Sequence, residues 1–158
     1  MNYLQKNIIN IAEQVAERLG FLLVDVSLKG DNRNRIVEVF IDSLKGVSID
    51  DCALMSHELA AVLETTDLIT SKYRLDVSSP GVDRPLKYLE QYPKHLDRKF
   101  EVSYSSAKDD SGEETAEVRI ISGKLTKIEG EVLTFRVNNE EIAINFNTIK
   151  TAKVLISF

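Results

Sequence analysis

A proline–glycine pair, Pro80–Gly81, divides this chain into two stretches with different hydrophobic periodicities. Just before it, Leu75 and Val77 alternate with polar residues, which is typical of a half-buried strand. Proline fixes its own φ and gives a sheet no donor, and glycine takes the positive φ that tight turns often need. Asp83 is suited to cap a following helix, with Pro85 in the first turn. The pair therefore predicts a rigid junction between two folded parts.

Two helices and three strands are predicted before the junction. Apolar residues recur at three- and four-residue spacing over residues 2–19, and Gly20 is suited to end that helix. A second helical stripe follows Ser48, a good N-cap, with Asp50 and Asp51 in its first turn. Alternating segments, which predict strands, lie at residues 22–28, 37–41 and 73–77. The order αββαβ predicts a two-layer α/β domain with both helices on one face of a small sheet.

After the junction, a short helix is predicted over residues 85–92, with Pro93 marking its end. Strand candidates then follow at residues 100–104, 118–121, 124–128, 132–137, 141–145 and 152–156. Tight turns are expected at Glu129–Gly130 and Asn138–Asn139, a helical turn within residues 146–150, and a mobile polar loop at residues 108–117. Many short strands in so few residues predict a small SH3-like or Sm-like β-barrel.

The chain is thus predicted to be an α+β protein of two domains. The N-terminal α/β domain spans residues 1–83, a junction helix and linker span 84–97, and the C-terminal barrel spans 98–158. A formal net charge of -5 argues against coating nucleic acid by bulk charge, so that any RNA contact must be local. A basic protein suits such an acidic chain at least as well as RNA does.

The sequence contains no arrangement of residues that supports catalysis. The single cysteine, Cys52, excludes an intramolecular disulfide and a cysteine-rich zinc site. Cys52 and His57 are five residues apart on a predicted helix, which places them on different faces. Asp50 and Asp51 are expected from the helix dipole alone. We therefore predict no catalytic residue, no metal and no cofactor, and a monomeric cytoplasmic protein with no membrane segment.

Four blocks of sequence carry a resemblance to a known family. They are residues 20–26, 39–42, 46–53 and 73–86, and the last, which contains Val-Ser-Ser-Pro-Gly-Val-Asp-Arg-Pro-Leu, is the most specific. They resemble, in order, the blocks of RimP, the bacterial ribosome maturation factor family, while Gly123-Lys-Leu is a weaker match in the second half. The resemblance implies an SH3-like C-terminal domain and a non-catalytic role in late assembly of the small (30S) ribosomal subunit. It also implies help in the folding of small-subunit RNA and in the entry of ribosomal proteins, through contact with small-subunit ribosomal protein twelve. By the charge argument, the barrel contacts small-subunit RNA or another protein.

The junction supports two interpretations. Serine hydroxyls, an open glycine backbone and an arginine could together hold a phosphate, which would make a ribosome contact of Ser78, Ser79, Pro80, Gly81, Asp83 and Arg84. The same residues could instead satisfy a rigid turn between two domains, with Asp83 as a cap and Arg84 paired to an acid. We weigh the structural interpretation more heavily.

Five basic residues of the predicted barrel form a candidate RNA surface: Lys124, Lys127, Arg136, Lys150 and Lys153. Several glutamates lie close to them in sequence, so an ordinary solvated surface is the alternative. The rival functions are a generic Sm-like or SH3-like adaptor for RNA or peptides, and a small hydrolytic enzyme that uses Cys52, His57 and Asp51.

Overall fold

The chain forms two compact units that meet between Pro80 and Gly81. The structure is a computed structural model that describes residues 2–82, 84–105 and 117–156. Each unit has its own cluster of buried apolar side chains. The predicted limits of a separate linker, residues 84–97, stay a prediction, but Leu86 and Tyr92 from that segment belong to the core of the second unit.

Two capped helices belong to the first unit. Helix α1 spans Tyr3–Leu19, begins at Asn2, whose side chain accepts the N–H of Gln5 at 2.7 Å, and ends at Gly20 with φ 81°. Helix α2 spans Ile49–Glu64 and begins with a capping box, in which Ser48 and Asp51 each accept the other's backbone N–H. Both helices and their predicted caps are confirmed.

The first unit also contains a three-stranded sheet in the order β1-β2-β3. Strand β1 (Leu22–Gly30) and strand β2 (Arg35–Asp42) form an antiparallel hairpin, with a bulge between Leu23 and Asp25. Strand β3 (Tyr73–Ser78) pairs with β2 in parallel, which requires the crossover that α2 supplies. The element order αββαβ predicted from sequence is confirmed.

The core of this unit places both helices on one face of the sheet. Alternate residues Val37, Val39 and Ile41 of β2 point into it. The helices supply the facing side chains, which are Ile8, Ala12, Val15 and Ala16 from α1 and Met55, Leu59 and Leu63 from α2. The two-layer arrangement predicted for this part therefore holds. Among the described residues, no helix is both long and apolar enough to cross a membrane.

The second unit is built on a five-stranded antiparallel sheet in the order β7-β6-β5-β4-β8. Its strands are β4 (Lys99–Ser105), β5 (Val118–Glu129), β6 (Val132–Val137), β7 (Glu140–Asn145) and β8 (Ile149–Val154). Together with the first unit, this makes the chain an α+β protein, as predicted. The SH3-like barrel stays a prediction, because the strand pairings of the described residues do not include one that closes the sheet.

Most strand and turn positions after Lys99 agree with the sequence pattern, with two corrections, one of which is that the strand predicted at 152–156 spans Ile149–Val154. Asn138 and Asn139 have φ 50° and 68°, as a two-residue hairpin turn requires, and Phe146–Thr148 forms the expected single turn as a 3₁₀ helix. The separate strands predicted at 118–121 and 124–128 are wrong, because β5 runs through Gly123 without a break. The loop predicted at 108–117 lies, apart from Glu117, outside the described residues.

The helix predicted over residues 85–92 is wrong. Residues 84–88 are not helical, and only two 3₁₀ turns follow, Leu89–Gln91 and Pro93–His95. Tertiary contacts explain the difference: the N–H of Leu86 donates to the carbonyl oxygen of Ala152 in β8 at 2.8 Å, so the segment is attached to the sheet. The Asp83 cap predicted for that helix lies outside the described residues.

Aromatic rings fill much of the second core. Tyr92 stacks on Phe100 with ring centroids 5.8 Å apart, and Phe100 meets Phe135 edge to face at 5.7 Å. Tyr92 has no exposed surface, and its hydroxyl has no hydrogen-bond partner among the described residues. The ring of Tyr92, which lies between the two 3₁₀ turns, thus anchors them to the second core.

Candidate functional site

The residues of the predicted junction site belong to both units, three to the first and three to the second. On the first unit, Ser78 is the last residue of β3, lies opposite Phe40 of β2 and is exposed, as Ser79 is. On the second unit, Gly81 takes φ 63°, which favours glycine at this turn, and Arg84 is half-buried. A contact of these residues with a ribosome stays a prediction.

Charge is distributed unequally between the units. Residues 1–80 contain twelve acidic and eight basic residues, whereas residues 81–158 contain thirteen acidic and twelve basic ones. The excess of negative charge therefore lies mainly in the first unit. A basic partner would be attracted to that unit in preference to the second.

Part of this acidic charge lies on the sheet face that the helices leave uncovered. In the register of β1, β2 and β3, Ser27, Glu38 and Asp76 form one row across the sheet. Glu38 pairs with Lys29 at 3.0 Å, and Asp76 pairs with Arg74 at 3.0 Å. The Arg74–Asp76 pair is largely exposed and can exchange for a stronger partner at small cost, whereas Glu38 is mostly buried.

The five predicted basic residues of the second unit do not form one surface. Lys124 of β5 and Arg136 of β6 lie directly opposite each other. Lys127 is paired with Glu129 at 2.8 Å, and this carboxylate raises the pKa of the lysine. Lys150 and Lys153 are on β8, where Lys153 lies opposite Glu101. Only Lys124 and Arg136 are brought together.

Two basic residues that the sequence analysis missed complete this pair. Lys99, the first residue of β4, lies opposite Lys124, so that Lys99, Lys124 and Arg136 form one row across three neighbouring strands. Arg98 precedes the row, and its carbonyl oxygen accepts the N–H of Leu125 at 3.0 Å. The dipeptide Arg98–Lys99 is visible in the sequence, but its position beside Lys124 depends on a register that the sequence does not give.

A pocket of about 790 Å³ opens beside this basic row, within the second unit. It is lined by Val82, Asp97, Arg98, Lys99, Ser122, Gly123, Lys124, Arg136, Asn138, Val154, Leu155 and Ile156. Four of these residues are basic, one is acidic and four are aliphatic, and Ser122, Gly123 and Asn138 complete the lining. We call it the basic pocket.

Gly123 allows the strands to come close at the base of the basic pocket. A Cβ atom at this position would lie 2.9 Å from the carbonyl oxygen of Arg136 and 2.8 Å from Cγ2 of Val137. Only a residue without a side chain lets β5 and β6 approach to this distance. Gly123 therefore sets the position of Arg136 relative to Lys124.

The residues weighed for hydrolytic chemistry have structural environments. Asp51 is part of the capping box of α2, His57 is exposed, and Cys52 is half-buried against the first core. Burial raises the pKa of the Cys52 thiol, and the neighbouring Asp51 charge raises it further. A thiol of this kind is a poor nucleophile at neutral pH. Over the described ranges, no three His, Cys, Asp or Glu side chains cluster as a metal site requires.

Comparison with known protein families adds an independent finding. Residues 11–83 match the family model described as the RimP N-terminal domain. The match begins within α1 and covers the rest of the helices and strands of the first unit. It also includes Ser78, Ser79, Pro80 and Gly81 from the predicted junction site.

Proposed function

Because the chain belongs to the RimP family, a family of ribosome maturation factors, we propose that it assists late assembly of the small (30S) ribosomal subunit. The proposed mechanism is binding to the immature subunit in the cytoplasm without catalysis. The match of residues 11–83 to the RimP N-terminal domain is the observation that carries this proposal. The environments of Cys52, His57 and Asp51 agree with it, since none is suited to nucleophilic chemistry.

The two units differ in their balance of acidic and basic residues, so they suit different partners on the immature subunit. The acidic first unit suits a basic ribosomal protein, and we propose small-subunit ribosomal protein twelve as that partner. The partly exposed row with Glu38 and Asp76 is the proposed contact, because the exposed Arg74–Asp76 pair can be exchanged for the partner's lysines and arginines. Small-subunit RNA is the proposed partner of the basic residues in the second unit.

Co-sedimentation of the purified protein with free small subunits, with assembled ribosomes and with naked small-subunit RNA tests the function. We expect binding to free small subunits and not to assembled ribosomes, with affinity that falls as salt rises from about 50 to about 200 mM. Equal binding to all three would favour the generic RNA or peptide adaptor. Affinity that does not change with salt would contradict the charge argument.

The partner of the first unit is tested by a neutralised variant. Glu38→Gln combined with Asp76→Asn removes two charges from the uncovered sheet face, while Glu13→Gln combined with Glu17→Gln removes two from exposed positions on α1. We expect the first variant to bind ribosomal protein twelve more weakly than the second does. If both variants bind it equally, the acidic sheet face is not the contact.

A further inference from the structure

The basic row has a fixed geometry because it is built on paired strands. Lys99, Lys124 and Arg136 occupy directly opposed positions on β4, β5 and β6. Neighbouring strands are about 4.8 Å apart, so the row spans roughly 10 Å. Arg98 lies at the same end of β4, and its carbonyl oxygen is bonded to β5. The backbones that carry these four cations are therefore held together by the sheet.

The charges of the row are largely available to a ligand. No described carboxylate lies within ion-pair distance of Arg98, Lys99 or Lys124. Arg136 contacts Glu141 at 3.7 Å, and both side chains are more than half exposed, so this pair is weak. The aliphatic wall of Val154, Leu155 and Ile156 has a low dielectric constant, which concentrates the positive potential in the basic pocket.

The chemistry of the lining favours phosphates over bases. Lysine, arginine, serine and asparagine side chains are the groups that commonly contact phosphate and sugar, and the basic pocket contains all four types. None of the described residues that line it is aromatic, so these residues offer an unpaired base no ring on which to stack. Double-helical RNA is recognised mostly through its phosphates, 2′-hydroxyls and shape.

We propose that the basic pocket is a binding site for the phosphate backbone of double-helical RNA. This proposal rests on the proposed function, since it names the kind of RNA that the second unit would meet on the immature subunit. It assigns the contact to Arg98, Lys99, Lys124 and Arg136, which line the pocket, and excludes Lys127, Lys150 and Lys153, which do not. Recognition there is independent of base sequence.

Fluorescence anisotropy with the full chain and an RNA hairpin with a double-helical stem tests the proposal. Lys99→Ala combined with Lys124→Ala should weaken binding about tenfold and lower the slope of log affinity against log salt by roughly 1 to 2. Lys150→Ala combined with Lys153→Ala removes the same charge from exposed positions on β8 and should change affinity less than about twofold. Unfolding midpoints equal to that of the unsubstituted protein show that both variants are folded.

Three results would overturn the proposal. The first is that the two double variants weaken hairpin binding equally. The second is that the unsubstituted protein binds single-stranded RNA of the same length more tightly than the hairpin. The third is that it binds polyglutamate more tightly than the hairpin. Co-sedimentation with small subunits separates this inference from the proposed function. If the protein binds small subunits but not the hairpin, only the proposal that the basic pocket binds RNA is wrong. If it binds no small subunits, the proposed function is wrong.

Discussion

The side-chain carbonyl of Gln91 accepts the backbone N–H of Lys87 at 2.7 Å. The same oxygen accepts the N–H of Tyr88 at 2.8 Å, and Gln91 itself has no exposed surface. One buried side-chain amide thus accepts two backbone N–H groups of the segment after the junction, where the predicted helix does not form. This arrangement couples the conformation of residues 87–91 to a single side chain.

Replacing Gln91 by methionine should destabilise the protein. The substitution keeps a similar volume but leaves two backbone donors without an acceptor, and we expect the free energy of unfolding to fall by about 2 kcal/mol. Urea denaturation measures this change. Glu90→Ala, at an exposed neighbouring position, is the control and should have an effect below about 0.5 kcal/mol. A Gln91→Met protein as stable as the control would show that the two hydrogen bonds contribute little.

Removing the Tyr92 hydroxyl should leave the protein at least as stable as before. The hydroxyl is buried and has no partner in the described part of the chain, so Tyr92→Phe removes an uncompensated polar group and keeps the ring that stacks on Phe100. Thermal and urea unfolding at pH 7 test this expectation. Tyr92→Leu, which removes the ring, should cost about 2 kcal/mol or more. A clear loss of stability in Tyr92→Phe would reveal a hydrogen-bond partner for the hydroxyl.

The same phenol predicts how stability depends on pH. Burial raises the pKa of Tyr92 above its ordinary value of 10.0, so above pH 10 the unfolded chain loses this proton while the folded protein retains it. The neutral phenol therefore makes its full contribution to the free energy of unfolding below pH 10, and this contribution falls as the pH rises above 10. Urea midpoints between pH 8 and about 11 should fall more steeply for the unsubstituted protein than for Tyr92→Phe. Parallel curves would contradict a buried neutral phenol.

Gly123→Ala should destabilise the second unit. The new Cβ would lie closer to the carbonyl of Arg136 and the side chain of Val137 than packing allows, and relief requires β5 and β6 to separate. We expect a loss of about 1–3 kcal/mol in urea denaturation. Ser122→Ala, at the adjacent exposed position, is the control and should be nearly neutral. A neutral Gly123→Ala would mean that the two strands can move apart at low cost.

Glu141→Gln should increase the affinity of the protein for the RNA hairpin. The carboxylate that competes for Arg136 is removed, and the gain should be about twofold because the ion pair is exposed. Glu140→Gln removes the same charge at the neighbouring residue and serves as the control in the anisotropy assay. If the two variants increase affinity equally, net charge and not the release of Arg136 is the cause.

The sequence predicts the first unit well because its signals are local. Gly20 and Ser48 mark helix ends through hydrogen bonds and backbone angles that depend on near neighbours. Alternation along β1, β2 and β3 likewise reflects one buried and one exposed face. Such patterns require no knowledge of distant contacts.

The sequence predicts the second unit less well where distant contacts decide the structure. Pro85 and the apolar spacing after it favour a helix, but Leu86 is bonded to Ala152, sixty-six residues later in the chain. Gly123 resembles a break between strands, yet its role is close approach to Arg136. The basic row depends on the register of three strands, so Arg98 and Lys99 could not be assigned to it from sequence.

The residues that line the basic pocket include some from each end of the second unit in sequence. Val82 comes from the first residues of that unit, while Val154, Leu155 and Ile156 follow or end its last strand. During synthesis, the core of the first unit can form once β3 has emerged, since domains generally fold as units from the N-terminus. The basic pocket has no such early form, because three of its four aliphatic lining residues end or follow β8, the last strand of the second unit. A nascent chain can therefore carry a folded first unit before the basic pocket is complete.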